Sequence, residues 1–247
     1  MLARGARLIR RVRDDGWRAV TARLAPQWSA ARLGARLPFS QMNAEDAVET
    51  VWSAEGGLVR PAQVRRELDR LAAVIAADRP RVVLEIGTHH GGTLLLWCLL
   101  AADDAMIMSV DLPDGPFGGG YPVWREALYH RFPRPHQKLR LCRGDSHAPG
   151  MCAEVVQALG HRPIDLLFLD GDHTAGGVEQ DWTAYAPLVR DGGLIVFHDI
   201  ADHGPDSPCQ VRPLWRALTS RYATREIIAD PRQGWAGIGL LTYRREG

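Results

Sequence analysis

The 247-residue chain is poor in cysteine, nearly devoid of lysine and without a long apolar run. Its four cysteines, Cys98, Cys142, Cys152 and Cys209, show no Cys-x-x-Cys spacing. That excludes a zinc knuckle and offers no disulfide framework, which fits a reducing cytoplasm. Cys98 and Cys142 lie in apolar runs and read as small buried hydrophobes. No window approaches the ~18 apolar residues of a membrane span, and the N-terminus lacks the apolar stretch of a secretion signal. The Gly-x-Gly-x-x-Gly fingerprint of dinucleotide binding is missing as well. A pyrophosphate needs closely spaced glycines facing a helix N-terminus, so a nicotinamide-dependent oxidoreductase is a weak alternative.

Lys138 is the only lysine, and arginine carries the positive charge unevenly. Residues 1–40 hold nine arginines against Asp14 and Asp15, while the whole chain is only +1, so the body is mildly acidic. An acidic body argues against nucleic-acid binding. Residues 5–25 place Leu8, Ile9, Val12, Trp17, Val20 and Leu24 near one helical face among arginines, and Pro26 ends the run. Such a basic amphipathic helix can make peripheral contact with anionic lipid, or pack on a partner subunit or on the domain itself. Residues 26–58 show no clear period and read as a connector or lid. The chain thus divides into a basic N-terminal helical extension over 1–58 and one α/β domain over 59–247, for which 46% hydrophobic content is ample.

The most informative segment is Val82-Val83-Leu84-Glu85-Ile86-Gly87-Thr88-His89-His90-Gly91-Gly92-Thr93. It reads as a strand buried on both faces that ends in an acid, turns on glycine and opens into a helix. In such sheets the crevice at the carboxyl ends of the strands holds the cofactor. Strands are predicted at 81–86, 105–110, 138–142, 164–169 and 193–198, and helices at 91–102, 122–131, 151–159, 177–188 and 211–220. Pro61 suits the first turn of an earlier helix carrying Val64, Leu68, Leu71, Val74 and Ile75. Two last strands, 224–229 and 236–243, are joined through Asp230-Pro231-Arg232-Gln233-Gly234 as a hairpin. The expected fold is a doubly wound, Rossmann-like, mostly parallel seven-stranded sheet closed by an antiparallel hairpin.

All five parallel strands end in acidic or imidazole groups: Glu85, then Asp111, then Asp145 with Ser146, then Asp170, Asp172 and His173, then His198 and Asp199. Any one of them suits a helix cap; five in succession along one edge point to a binding rim. Asp111, about twenty residues past the glycine turn, suits a ribose diol, and Asp145 with Ser146 can read an adenine edge.

Glu85-x-Gly87-x-x-x-Gly91, Asp111, Asp145 and the terminal hairpin resemble the class I S-adenosylmethionine-dependent methyltransferases. Leu169-Asp170-Gly171-Asp172-His173 with Gly192-Gly193-Leu194-Ile195-Val196-Phe197-His198-Asp199-Ile200 is similar to the bacterial sugar O-methyltransferases of the macrocin and mycinamicin types and to the cephalosporin-hydroxylase-like relatives. The resemblance covers about residues 60–245. It implies that Glu85, Gly87, Thr88 and Gly91 line the methionine side of S-adenosylmethionine, that Asp111 holds its ribose, and that Asp145 and Ser146 flank its adenine. It also implies a divalent metal, Mg2+ or Mn2+, at Asp170, His198 and Asp199. His198 stands where Glu or Asp is usual, so either an imidazole joins the ligands and favours Mn2+, Fe2+ or Zn2+, or Asp170 and Asp199 bind alone.

An acidic rim suits a sulfonium donor, which carries no phosphate. The implied reaction is methyl transfer to a hydroxyl of a small molecule, such as a sugar of a natural product or glycolipid, and it needs a base. His173 and Asp172 are the candidates. Loops 112–121 and 201–210, the latter with His203 and Asp206, are candidate covers; Tyr121 and Trp124 are candidate stacking partners for the acceptor, and His89 and His90 are expected to shape the cofactor pocket. A homo-oligomer is expected by the same resemblance. A scaffold that binds cofactor without turnover is the non-enzymatic alternative.

Overall fold

The computed structural model describes residues 30–245 apart from 32, 36, 39 and 114–119. The helix expected at 5–25 lies outside the described residues, as does most of the loop at 112–121. Seven strands form one sheet in the order β3-β2-β1-β4-β5-β7-β6. They are β1 (Val82–Ile86), β2 (Met106–Asp111), β3 (Lys138–Arg143), β4 (Ile164–Leu169), β5 (Val189–Phe197), β6 (Ala223–Ile227) and β7 (Ile238–Thr242). β1 to β5 pair in parallel, and β7 runs antiparallel to both β5 and β6. The doubly wound sheet with its reversed terminal hairpin is therefore as the sequence reads.

Alternation along β1 explains the two-layered core. Val83 joins the apolar cluster on one face, while Val82, Leu84 and Ile86 join the cluster on the other. α3 (Gly92–Leu100) is apolar all round and wholly buried, as a helix with no polar face must be. α2 (Arg65–Asp78) buries only a stripe, Leu68, Leu71, Ala72 and Ile75. Burying each large apolar side chain contributes about 1.5–3 kcal/mol, so these contacts fix α3 beneath the glycine turn.

Three local expectations are corrected. Pro61 does not open α2, which begins at Arg65 with Val64 before it. Pro61 instead packs on Gly92, where an added Cβ would lie 2.5 Å from the proline nitrogen and 2.6 Å from its ring. The helix expected at 122–131 is a 3-10 turn, Val123–Arg125, followed by the single turn α4 (Glu126–Tyr129). β5 begins at Val189, four residues early, because its register jumps from Ile164↔Val189 to Leu166↔Leu194 around Gly192 and Gly193.

The patternless 26–58 segment also contains a helix, α1 (Ala44–Ser53), capped by Asn43, whose side chain accepts from Asp46 N. Ala47, Val48 and Val51 on α1 share the core with Leu94, Trp97 and Val83. Three small apolar residues are too few to reveal a period, yet enough to pack. The remaining helices are α5 (Met151–Leu159), α6 (Ala175–Tyr185) and α7 (Val211–Thr219). Among the described residues, no helix is long and apolar enough to cross a membrane.

Candidate functional site

The carboxyl ends of β1 to β4 open into a cleft of about 170 Å³. Gly87, Asp111, Asp145, Ser146, Asp170 and Asp172 line it, and no Lys or Arg does. Gly87 is required by geometry: its φ is +91°, and a Cβ there would lie 2.0 Å from the carbonyl oxygen of Asp170. That contact brings the end of β4 against the turn after β1.

Asp111 organises this half of the cleft. Its Oδ2 accepts from the amides of Thr88 (3.0 Å) and His89 (2.7 Å), and its Oδ1 accepts from Gly120 N (3.1 Å). Burial raises its pKa against the lowering effect of these amides. His89 takes φ 47° to present its amide, and Tyr129 Oη holds its carbonyl at 2.7 Å. At the far end, Asp145 Oδ1 accepts from His147 N (2.9 Å), and Ser146 O accepts from Tyr185 Oη (2.8 Å). His147 Nε2 lies 3.1 Å from Asp181 Oδ1, a buried carboxylate.

Several expected contributors stand behind the wall. Glu85 is fully buried and accepts from Thr93 Oγ1 and from Trp97 Nε1 at 3.1 Å. It shares the face of Val83, toward α3, and burial pushes its pKa up to about 8 against the lowering effect of Thr93 and Trp97. Glu85 is thus not part of a negative rim, contrary to expectation. Thr88 is also buried, its hydroxyl paired with that of Ser109. Gly91 makes room for Tyr129, whose ring a Cβ would approach to 2.5 Å. Tyr121 is fully buried edge-on against Tyr129, so it offers no stacking face to an acceptor.

Where β4 and β5 end, a different constellation appears. His198 Nδ1 lies 3.0 Å from Asp170 Oδ1 and 3.2 Å from Asp199 Oδ2. His173 faces the same two oxygens, Nε2 at 3.4 Å and Nδ1 at 3.2 Å. One donor atom each from Asp170, His198 and Asp199 fall within 4.8 Å of one another, as they do for His173, Asp199 and Cys209. His198 is only 6% exposed; its Nδ1 faces the two carboxylates, while its Nε2 makes no hydrogen bond among the described residues. Two carboxylates and an imidazole nitrogen that converge in a buried site are donor types that suit a divalent cation. The donor set therefore fits a divalent metal.

Electrostatics couple the cluster. Burial disfavours the charged imidazoles of His173 and His198, but Asp170 and Asp199 outweigh it, and both pKa values rise, that of His198 strongly. Burial likewise opposes ionisation of Asp170 and Asp199, and the imidazoles overcome it, so both carboxyls lie below their usual range. Asp172 is engaged in the following turn, where its Oδ1 accepts from Thr174 N at 2.8 Å and its carboxyl fills the space beside Gly177 at the start of α6.

Sequence reasoning missed Gln63 and Glu67. Gln63 Nε2 donates to Asp170 Oδ2 at 2.7 Å from a segment more than a hundred residues away in sequence. Glu67, fully buried, accepts from Ala229 N, Gln233 Nε2 and Gly237 N and so ties the hairpin link to α2. Neither carries a local signal; both stand outside the strand-end pattern.

Residues 84–200 match the model of a methyltransferase domain family. Over 256 aligned residues the chain is 26% identical to 8-demethyl-8-(2-methoxy-alpha-L-rhamnosyl)-tetracenomycin-C 3'-O-methyltransferase of Streptomyces olivaceus, covering 96% of this chain and 55% of that protein. It is 27% identical to the uncharacterized protein y4gI of Sinorhizobium fredii, covering 70% of this chain and 18% of that one. The chain thus spans about half, or less, of the length of these curated relatives. Among solved structures, MycE methyltransferase of the mycinamycin pathway, in complex with Mg, SAH and mycinamycin VI, superposes with a TM-score of 0.55 at 16% identity, over 83% of this chain and 55% of that one. At that identity the likeness is one of fold.

Proposed function

We propose that the chain is an S-adenosylmethionine-dependent methyltransferase that transfers a methyl group to a hydroxyl of a small molecule with the help of a divalent cation, a reading supported by the methyltransferase-domain match over residues 84–200. The acceptor proposed is a sugar hydroxyl of a natural product or glycolipid, in keeping with the rhamnosyl substrate in the name of the Streptomyces relative. The observation that carries the reading is the meeting of two things in one crevice. A cleft whose lining includes the carboxylates of Asp111, Asp145, Asp170 and Asp172 shares Asp170 with a buried cluster in which His198 Nδ1 faces Asp170 and Asp199.

The donor supplies an electrophilic methyl on a cationic sulfur, and the divalent cation makes an aliphatic hydroxyl more acidic. The chain's own residues do the rest. Asp111 is the ribose acceptor, held in place by three backbone amides. Asp145 and the Ser146 turn flank the base. Asp170, His198 and Asp199 hold the cation, and Gln63 fixes the Asp170 carboxylate from behind. His173 is the group that takes the hydroxyl proton, its Nδ1 oriented by Asp199 at 3.2 Å. Asp172, engaged in the turn to α6, is the weaker candidate. What remains for the fold is alignment of oxygen, carbon and sulfur.

Titration calorimetry with S-adenosylmethionine tests the donor half: wild type binds and Asp111→Ala does not. EDTA then stops methyl transfer to a screened hydroxyl acceptor while donor binding persists. Undiminished affinity in Asp111→Ala, or full turnover in chelated protein, overturns the corresponding half of the reading.

A further inference from the structure

We infer that the cluster after β4 and β5 selects an imidazole-tolerant transition ion, Fe2+, Co2+ or Zn2+, over Mg2+, taking it on Asp170 Oδ1, Asp199 Oδ2 and His198 Nδ1. The inference rests on the metal-assisted reading above and adds the identity of the ion and of the donor atoms.

Each carboxylate of the cluster has one oxygen already in use. Asp170 Oδ2 accepts from Gln63 Nε2 at 2.7 Å. Only the NH2 end of that amide can donate, so its orientation is fixed by the carboxylate. Asp199 Oδ1 accepts from Ala236 N at 3.0 Å and has His203 Nε2 at 3.4 Å. Both carboxylates are therefore oriented through one oxygen, which turns the other toward His198 and His173. Those two remaining oxygens, Asp170 Oδ1 and Asp199 Oδ2, are the ones that converge on His198 Nδ1, at 3.0 and 3.2 Å.

A carboxylate oriented in this way presents one oxygen to an ion beside the imidazole. Two single oxygens and one nitrogen are a poor match for Ca2+, which gathers six to eight oxygens; Mg2+ accepts one or two carboxylates with waters, but an imidazole nitrogen is a poor donor for it. Imidazole suits the later first-row ions. The backbone is committed to this arrangement as well. Asp199 takes φ +61°, a left-handed conformation that a side chain adopts at some cost and that recurs at functional sites. β5 brings His198 and Asp199 in adjacent positions, and that turn lets both face Asp170.

The test uses the full chain, stripped of metal and titrated separately with CoCl2 and MgCl2. Wild type is expected to bind Co2+ at least about tenfold more tightly than Mg2+, and His198→Glu to shrink that ratio by about tenfold. A second measurement reads the ligand directly. Pulsed EPR of the Mn2+-loaded wild type shows nitrogen coupling from a bound imidazole, and His198→Glu loses it. An unchanged Co2+ to Mg2+ ratio in His198→Glu overturns the inference and leaves the metal-assisted reading standing. Nitrogen coupling that survives in that variant assigns the ring to His173 and overturns the role of His198. Failure of wild type to bind either ion overturns the metal-assisted reading itself, while donor binding is checked separately by calorimetry.

Discussion

The two ends of the crevice differ in how their polar groups are satisfied. Around Asp111, three backbone amides converge on one carboxylate, and the side chains that stand closest, Glu85, Thr88 and Ser109, are bonded to one another or to α3. Around Asp170 and Asp199, side chains face side chains, and His198 keeps its Nε2 without a hydrogen bond among the described residues. The first end is preformed by backbone geometry and suits a ligand of fixed shape. The second holds bonding capacity in reserve and suits an ion whose coordination completes it. On this contrast, the proposed reading assigns recognition to the β1–β3 ends and chemistry to the β4–β5 ends.

The largest expected effect would sharpen this division. His173→Ala lowers the rate of methyl transfer by ~10²–10⁴, the usual contribution of a general base, while S-adenosylmethionine affinity by calorimetry changes little. A loss below threefold, or an equal loss of donor affinity, breaks the assignment of chemistry to that end.

Gly87→Ala is next, because it strikes the joint between the two ends. The residue sits at φ +91° with a Cβ position 2.0 Å from the Asp170 carbonyl oxygen. The left-handed backbone alone costs an L residue roughly 1–2 kcal/mol, and the clash adds to it. Thermal denaturation reads a lowered Tm together with weakened donor and metal binding. An unaltered Tm means that the two ends are not packed through this contact.

The smallest effect concerns His147. Its contact with Asp181 raises the imidazole pKa above the ordinary 6.5, despite partial burial. A group whose folded pKa is raised contributes stability that is fully present below its unfolded value and is lost as pH rises through the folded one. Wild type should therefore gain more in Tm than Asp181→Asn when pH is lowered from 8 to about 6. Parallel pH profiles for the two proteins remove this contribution from the loop after β3.

Much of the strand-end pattern behind the candidate site was legible before folding was considered. The acidic and imidazole strand ends, Asp111, Asp145, Asp170, His173, His198 and Asp199, do come to one sheet edge, because parallel strands joined by helices bring their carboxyl ends to the same side. Glu85 misled because position along a strand says where a residue is, not which face it takes; alternation turned it toward Trp97. Tyr121 misled for a related reason, since a glycine-rich approach concealed a residue that anchors α4 from inside. Gln63 was invisible because nothing local distinguishes it.

The amino-acid sequence by itself determined the order of strands and helices, the glycine turn after β1 and the set of groups gathered at the strand ends. Periodicity and turn chemistry are local and can be read residue by residue. Only the tertiary structure decided which of those groups face the crevice, which are neutralised by burial and which oxygens remain open to a ligand. Those outcomes depend on the pleat of neighbouring strands and on contacts across long separations, such as Gln63 to Asp170 and Glu67 to Gly237, that no local pattern encodes.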